Sequence, residues 1–314
     1  MPTLAPPEPI VYVTGMHRSG TSLVMGTLGR LGLDLGDPAQ LQPAGADNPV
    51  GYFENRYLLE FNDELLAALG GTWDRPPVFA SCWDESAIVE EFRLRAVEVL
   101  TSCFATSGSG PCGIKDPRLS ILLPFWETIR PARATVVVVR CPTDVVSSLE
   151  ARNGFSREHG AALWLRYTLA VFRDAPTSLV VDLDRFLADL PSETHRLCHD
   201  LGLPAPSGEA TEQAQAALDP SLLHHRSGRV GDAPRPSVGG VERLALRMWN
   251  HGDLRVETLD PDLVAALIDG HLGPSASAAE LTASRADAAS LREQLRRSNR
   301  KRRDLEARTF EHRS

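Results

Sequence analysis

Gly15-Met16-His17-Arg18-Ser19-Gly20-Thr21-Ser22 packs two glycines, three hydroxyls and a cation into eight residues. Such a loop binds phosphate when a strand leads into it and a helix leads out. Backbone N–H groups then converge on the anion, and the helix terminus adds a partial positive charge. The position of the cation sets this loop apart. In the pattern G-x-x-x-x-G-K-[ST], Lys follows the second glycine. Here Thr21 takes that place and the charge is Arg18, before Gly20. The loop therefore suits a phosphate with a neighbouring anion, bound otherwise than in the usual nucleoside triphosphatase. Two more segments carry convergent chemistry. Arg140 ends the run Thr135-Val136-Val137-Val138-Val139, and Ser148 lies eight residues on. Arg offers a planar fork of donors for a phosphate, and Ser adds a short hydroxyl. An ion pair between Arg140 and Asp144, with an ordinary helix Ser148, is the plainer reading. Gly113-Ile114-Lys115-Asp116-Pro117-Arg118 places two cations and a carboxylate around a proline that stops a strand; its plainer reading is a surface turn with a local ion pair.

These residues need elements to hold them. Strand signals fall at 10–14, 113–115, 134–140 and 178–182, and helical patterns at 56–69, 86–106, 119–129, 143–152 and 158–172. The unbroken apolar run 135–139 suits a central parallel strand covered on both faces. Strands separated by helix-length segments imply βαβ units and a parallel sheet, with ligands gathered at the strand C-terminal ends. The Gly/Pro/Asp/Gln-rich stretch 33–53 reads as a long loop or broken helix over that edge, and 224–240 as a second functional or disordered loop.

Taken together, the order β–G-x-x-R-S-G-T-S–α, then Lys115-Asp116-Pro117, then Val139-Arg140 with Ser148, resembles the sulfotransferases that use 3′-phosphoadenosine 5′-phosphosulfate (PAPS). The first loop is similar to their 5′-phosphosulfate loop, and Arg140 and Ser148 to their 3′-phosphate motif in residues and spacing. Arg in place of the Lys of cytosolic members is what tyrosylprotein sulfotransferases and many bacterial members carry, and Lys115-Asp116-Pro117 resembles a segment of the tyrosylprotein enzymes. The wording of the first loop, with Asn48-Pro49-Val50-Gly51-Tyr52-Phe53-Glu54 after it, is closest to bacterial sulfotransferase-family proteins.

The resemblance implies a P-loop-like three-layer α/β/α fold with a central parallel sheet; the composition and leucine spacing after Pro274 add a C-terminal helix. It implies PAPS as sulfuryl donor and no metal. Gly15, His17, Arg18, Ser19, Gly20, Thr21, Ser22, Arg140 and Ser148 would bind the donor. Arg18, and next Lys115, would stabilise charge on the bridging oxygen as the S–O bond breaks. A late basic loop around 222–229 would close over the adenosine 3′-phosphate. Glu54 is the first candidate for the base that takes the acceptor proton; an acidic residue at a helix start suits the helix dipole equally well. His17, inside the loop, is the second candidate, and His251 a remote third.

Composition bounds the rest. At 314 residues and 42% hydrophobic content the chain can build one large α/β domain, and a net charge of −8 argues against a general nucleic-acid binder. Five scattered cysteines, Cys82, Cys103, Cys112, Cys141 and Cys198, lack metal-ligand spacing and read as reduced thiols. The first nine residues have no basic-plus-apolar leader, and no stretch reaches the roughly 20 apolar residues of a membrane helix. The expectation is a cytoplasmic protein with an unordered stretch at 1–9, a catalytic domain over 10–273 and a helical tail over 274–314. Leu281, Leu291, Leu295 and Leu305 in that tail approach a heptad seam, a route to homo-oligomers, and 296–303 is basic. The expected acceptor is a hydroxyl, or an amine, on a small molecule or carbohydrate. The stretch 33–53 and the helix with Trp164 and Tyr167 are where its contacts are expected. The competing readings are a P-loop kinase and a non-catalytic nucleotide-binding scaffold assembling through the tail.

Overall fold

In β1 (Ile10–Thr14) successive side chains point to opposite faces, and all five residues are buried. Ile10 and Tyr12 join one hydrophobic cluster, Val11 and Val13 another. A strand buried on both faces has to lie inside a sheet with helices above and below. The computed structural model has that architecture. It describes residues 10–45, 48, 51–79, 83–104, 110–216, 240–251 and 268–272. Four parallel strands run in the order β2 (Gly113–Lys115), β1, β3 (Ala132–Val139), β4 (Leu179–Asp182). The register pairs Val11 with Gly113, Val13 with Val136 and Val137 with Val180.

One face of the sheet is covered by α1 (Thr21–Arg30), α7 (Leu183–Ala188), α8 (Leu190–Leu201) and α9 (Gly208–Ala216), through Val24, Leu28, Phe186, Leu197 and Ala214. The other is covered by α2 (Arg56–Ala68), α3 (Ala87–Cys103), α4 (Leu119–Ile129), α5 (Pro142–Asn153), α6 (Arg157–Asp174) and α10 (Gly240–His251). Local chemistry sets several of the starts. Asn55 caps α2 by accepting from the Tyr57 and Leu58 N–H groups, and Ser156 caps α6 by accepting from His159 N–H. Among the described residues no helix is long and apolar enough to cross a membrane.

After β1 the chain turns outward to β2; β3 then returns on the other side of β1. Their connections thus part between β1 and β3, the position where open parallel sheets hold ligands. Gly15 leaves β1 there and Arg140 leaves β3. The approach is close: Gly15 has φ +142°, and a Cβ on it would lie 2.2 Å from the Val138 carbonyl oxygen. Gly15→Ala is therefore expected to destabilise the fold by about 3 kcal/mol, since backbone must move to relieve the overlap. Chemical denaturation measures this, and an unchanged midpoint would refute the stated packing.

The strands and helices expected from sequence are present, with shifts of up to three residues at their ends: β3 begins at Ala132 and α3 ends at Cys103. The short helices α7, α8 and α9, and α10, fall where no element was expected. The segment 33–53 is irregular apart from a 3-10 turn at Pro38–Gln40. The leading nine residues, Cys82, the loop over 224–239 and the tail from 274 on lie outside the described residues, as does the side chain of His251.

Candidate active site

The phosphate-type loop is a strained, tightly turned segment. Ser19 N–H donates to the Met16 carbonyl (3.1 Å), and Gly15 N–H to Ser120 Oγ (3.1 Å). Gly20, at φ +91°, faces Leu183, whose Cδ1 would lie 2.7 Å from a Cβ there. Arg18 itself has φ +70°, in the left-handed region that non-glycine residues seldom adopt. Among the described residues the other non-glycine case is Phe53, at φ +61°, directly before Glu54. Backbone strain of about 1–3 kcal/mol persists only where surrounding structure enforces it. Here it marks the two segments that carry the cation and the carboxylate. The Phe53 ring is wedged over Gly26 of α1, where a Cβ would meet it at 2.8 Å. Thr21 and Ser22 open α1, so their N–H groups have no partner within the helix. Ser19 Oγ is buried with no hydrogen-bond partner among the described residues.

Arg18 and the second motif meet. Arg18 Nε donates to Ser148 Oγ at 2.9 Å, and Arg140 Nη1 donates to the Arg18 carbonyl at 3.2 Å. Arg140 Nε also lies 3.7 Å from Asp144 Oδ2, so the ion pair of the plainer reading forms without taking Arg140 away from the loop. Trp164 fixes the strand end by donating to the Arg140 carbonyl (3.1 Å). Residues 130 positions apart thus form one cationic surface at the parting of β1 and β3.

Lys115, at the end of β2, reaches the same edge. Its ammonium donates to Ser22 Oγ (2.9 Å), to the Tyr52 carbonyl (3.0 Å) and to Glu54 Oε1 in a short, buried ion pair. Glu54 Oε2 is buried without a hydrogen-bond partner among the described residues. Burial raises the Glu54 pKa above the ordinary carboxylate range; Lys115, by charge and hydrogen bond, only partly opposes this. The carboxylate is not a helix cap: Asn55 caps α2, and Glu54 turns to Lys115 instead. Behind Lys115, Asp116 is fully buried and accepts from Asn62 Nδ2 (2.9 Å), Arg118 N–H (2.9 Å) and Arg118 Nη1 (3.1 Å). Asp63 takes the rest of the Arg118 fork through Nε and Nη2 (2.5 and 3.1 Å). Arg118 is thus bound to two carboxylates, and the motif is a buried network, not a surface turn.

His17 points into an aromatic group. Its ring centroid lies 4.4 Å from that of Trp73 and 5.6 Å from that of Tyr167. Nε2 is shut from solvent and has no hydrogen-bond partner among the described residues. Burial, then the charges of Arg118, Lys115, Arg152 and Arg18, push its pKa well below that of an ordinary imidazole. The ring is neutral at neutral pH and a poor proton acceptor.

The structure thus brings Gly15, Arg18, Gly20, Thr21, Ser22, Lys115, Arg140, Ser148 and Glu54 to one sheet edge, with Ser19 behind the loop and His17 to one side. Trp164 and Tyr167 are fully buried and spend their polar atoms on backbone carbonyls, Tyr167 on Trp73 (2.7 Å). They support the site from behind. Sequence reasoning missed Trp73, Asn62, Asp63 and Ser120. The signal for Trp73 is the Gly70-Gly71 turn that ends α2; Asn62 and Asp63 sit inside a regular helix and give none.

No family model matches the chain, and neither does any curated protein. Solved structures similar to it include two described as sulfotransferases. The sulfotransferase domain from the Synechococcus PCC 7002 olefin synthase is 14% identical, with 79% of this chain and 97% of that one covered and a TM-score of 0.47. The sulfotransferase STF9 from Mycobacterium avium is 15% identical, with 86% of this chain and 78% of that one covered and a TM-score of 0.39.

Proposed function

We propose that the chain is a PAPS-dependent sulfotransferase that moves a sulfuryl group to a hydroxyl or amine of a small-molecule or carbohydrate acceptor and releases adenosine 3′,5′-bisphosphate (PAP). One observation carries the reading: Arg18 from the β1 loop bonds Ser148 from the β3 motif, with Arg140 on the same loop. Two anion sites of separate strands then share one edge, as a donor with separated 3′- and 5′-anions requires. The residues fit such a donor. The loop that Gly15 and Gly20 let pack against Val138 and Leu183, the open N–H groups of α1 and the buried Ser19 hydroxyl suit the 5′-group. Arg140 and Ser148 suit the 3′-phosphate.

The donor supplies the transferable sulfuryl group. The chain supplies position and charge. Arg18 holds cationic N–H groups where charge develops on the bridging oxygen, and Lys115 adds a second cation through Ser22. Glu54 accepts the acceptor proton on a buried oxygen. His17, neutral and enclosed, forms part of the wall and is not the base. A kinase reading would need a Lys after Gly20, and the chain has Thr21 there.

PAP without Mg²⁺ is expected to raise the melting temperature by several degrees, and ATP with Mg²⁺ by much less, because only a ligand that binds the folded state shifts the transition. Arg140→Ala should remove the PAP shift, measured against the variant's own unliganded melting temperature, which should itself fall because buried Asp144 loses Arg140. The reverse ranking of the two ligands would sink the reading; an unchanged PAP shift in the variant would sink the 3′-phosphate assignment.

A further inference from the structure

Helix α10 meets the Arg140–Ser148 motif at both ends, although α6 to α9 separate them in sequence. At its first turn Glu242 is buried, with 1% of its side chain exposed. It takes two nitrogens of the Arg157 fork, Nε (3.1 Å) and Nη2. The third, Nη1, donates to Ser147 Oγ (3.4 Å) and Glu150 Oε2 (3.3 Å) of α5. The neighbouring Glu158 accepts from Val241 N–H (3.1 Å), an open donor of the first turn of α10. Near the other end of α10, the Trp249 ring meets Trp164 edge to face, 6.5 Å between centroids, and packs against the cluster that holds Val137 and Val139. Trp164 Nε1 in turn holds the Arg140 carbonyl.

These contacts fix the two donors of the motif. Ser147 and Glu150 are three residues apart and share one face of α5. Ser148 follows about 100° further round the helix. Holding the Ser147 face therefore sets the direction in which Ser148 points, and with it the bond from Arg18 Nε to Ser148 Oγ. The spacing of α5 from α6 is set as well: a Cβ on Gly160 would lie 3.5 Å from Val146 Cα. A buried ion pair contributes little net stability, since desolvation offsets much of the attraction. What Arg157 and Glu242 contribute is geometry.

We infer that Arg157, Glu242 and Trp249 are positioning residues for the 3′-phosphate site, through which α10 sets Arg140 and Ser148 before the nucleotide arrives. The inference rests on the assignment of Arg140 and Ser148 to the 3′-phosphate. Donors set in advance save the ordering cost of binding. Slackening them weakens the 3′-phosphate contacts and leaves the 5′-phosphate to the β1 loop.

The test titrates the full chain calorimetrically with PAP and with adenosine 5′-phosphate, which lacks the 3′-phosphate. The parent protein is expected to bind PAP tighter by about tenfold or more, the scale of one charge-assisted hydrogen bond. Arg157→Met/Glu242→Met removes both charges together and leaves no buried carboxylate unpaired. It should weaken PAP by about tenfold and adenosine 5′-phosphate by less than about threefold, so that the preference collapses. Trp249→Leu should narrow the preference in the same direction, and so should Arg157→Lys, which keeps the counter-charge but not the fork. Equal losses for both nucleotides would mark a merely structural role and overturn the inference; so would the parent preference persisting in all three variants. A parent protein that binds the two nucleotides alike overturns the 3′-phosphate assignment itself, and the inference falls with it. Should the paired variant not fold, Arg157→Lys and Trp249→Leu decide.

Discussion

Glu54→Gln is expected to lower turnover by about 10² or more while the PAP-induced melting shift persists. On the proposed reading the substitution removes the proton acceptor while most of the local hydrogen bonding can be kept. Lys115 keeps Ser22 Oγ and the Tyr52 carbonyl as acceptors, and the Gln carboxamide oxygen can take the place of Glu54 Oε1. The variant leaves Lys115 without its counter-charge, so some loss of stability is also expected, short of the roughly 3–5 kcal/mol seen when a buried pair is broken outright. The pH profile separates chemistry from folding. Burial raises the Glu54 pKa, and transfer needs the ionised form. Turnover of the parent protein should therefore fall as pH drops through a value above the ordinary carboxylate range. Glu54→Gln should lack that acid limb. His17→Asn should keep it, because burial and the surrounding cations disfavour protonation of the enclosed imidazole, which takes no proton from the acceptor on this reading. Near-normal turnover in Glu54→Gln would remove Glu54 from the role.

The parts of this molecule legible in its sequence are those whose information is local. Thr135 to Val139 announces a strand buried on both faces through five residues without polar alternation, and the structure sets it inside the sheet. The loop from Gly15 to Ser22 is read from glycines whose positions the backbone demands: one lies against Val138, another against Leu183. The helix α8 was not expected, although its ends carry a signal, with Asp189 accepting from Ser192 N–H, Pro191 in the first turn and Gly202 at the end; α7 is six residues long and has too few turns to show a period. What stays illegible is convergence. The hydrogen bond of Arg18 to Ser148 is set by which strands lie side by side, and no spacing in the chain encodes it. The same holds for the fork of Arg118 between Asp116 and Asp63, 55 residues from the latter. Read along the chain, Lys115-Asp116-Pro117-Arg118 looks like an exposed turn. Only the return of α2 over β2 turns it into a buried network that sets Lys115 against Glu54.

Arg18→Ala is expected to cost about 10²–10³ in turnover, the scale seen when one preorganised donor to a developing oxyanion is lost. The geometry explains why this cation should matter more than its neighbours. Its backbone sits at φ +70°, and the loop tolerates that only because Gly15 and Gly20 let β3 and α7 close on it. Its Nε is committed to Ser148, which fixes the plane of the guanidinium and leaves the orientation of both Nη groups determined in advance. A donor held this way needs no reorganisation as charge develops, which is the source of its effect. Lys115 differs: its ammonium is spread over Ser22, Tyr52 and Glu54 and acts on the site partly through them. Arg18→Lys tests the distinction between charge and plane. Lysine keeps the charge but cannot bond Ser148 through Nε and still present a fork. It should recover part of the loss and remain about tenfold or more below the parent protein, and Ser148→Ala should fall in the same intermediate range. PAP affinity should drop far less than turnover in Arg18→Ala, since on the proposed mechanism the interaction strengthens as the S–O bond opens. Equal losses in PAP binding and turnover would make Arg18 a binding residue only; turnover within tenfold of the parent protein would take it out of the chemistry.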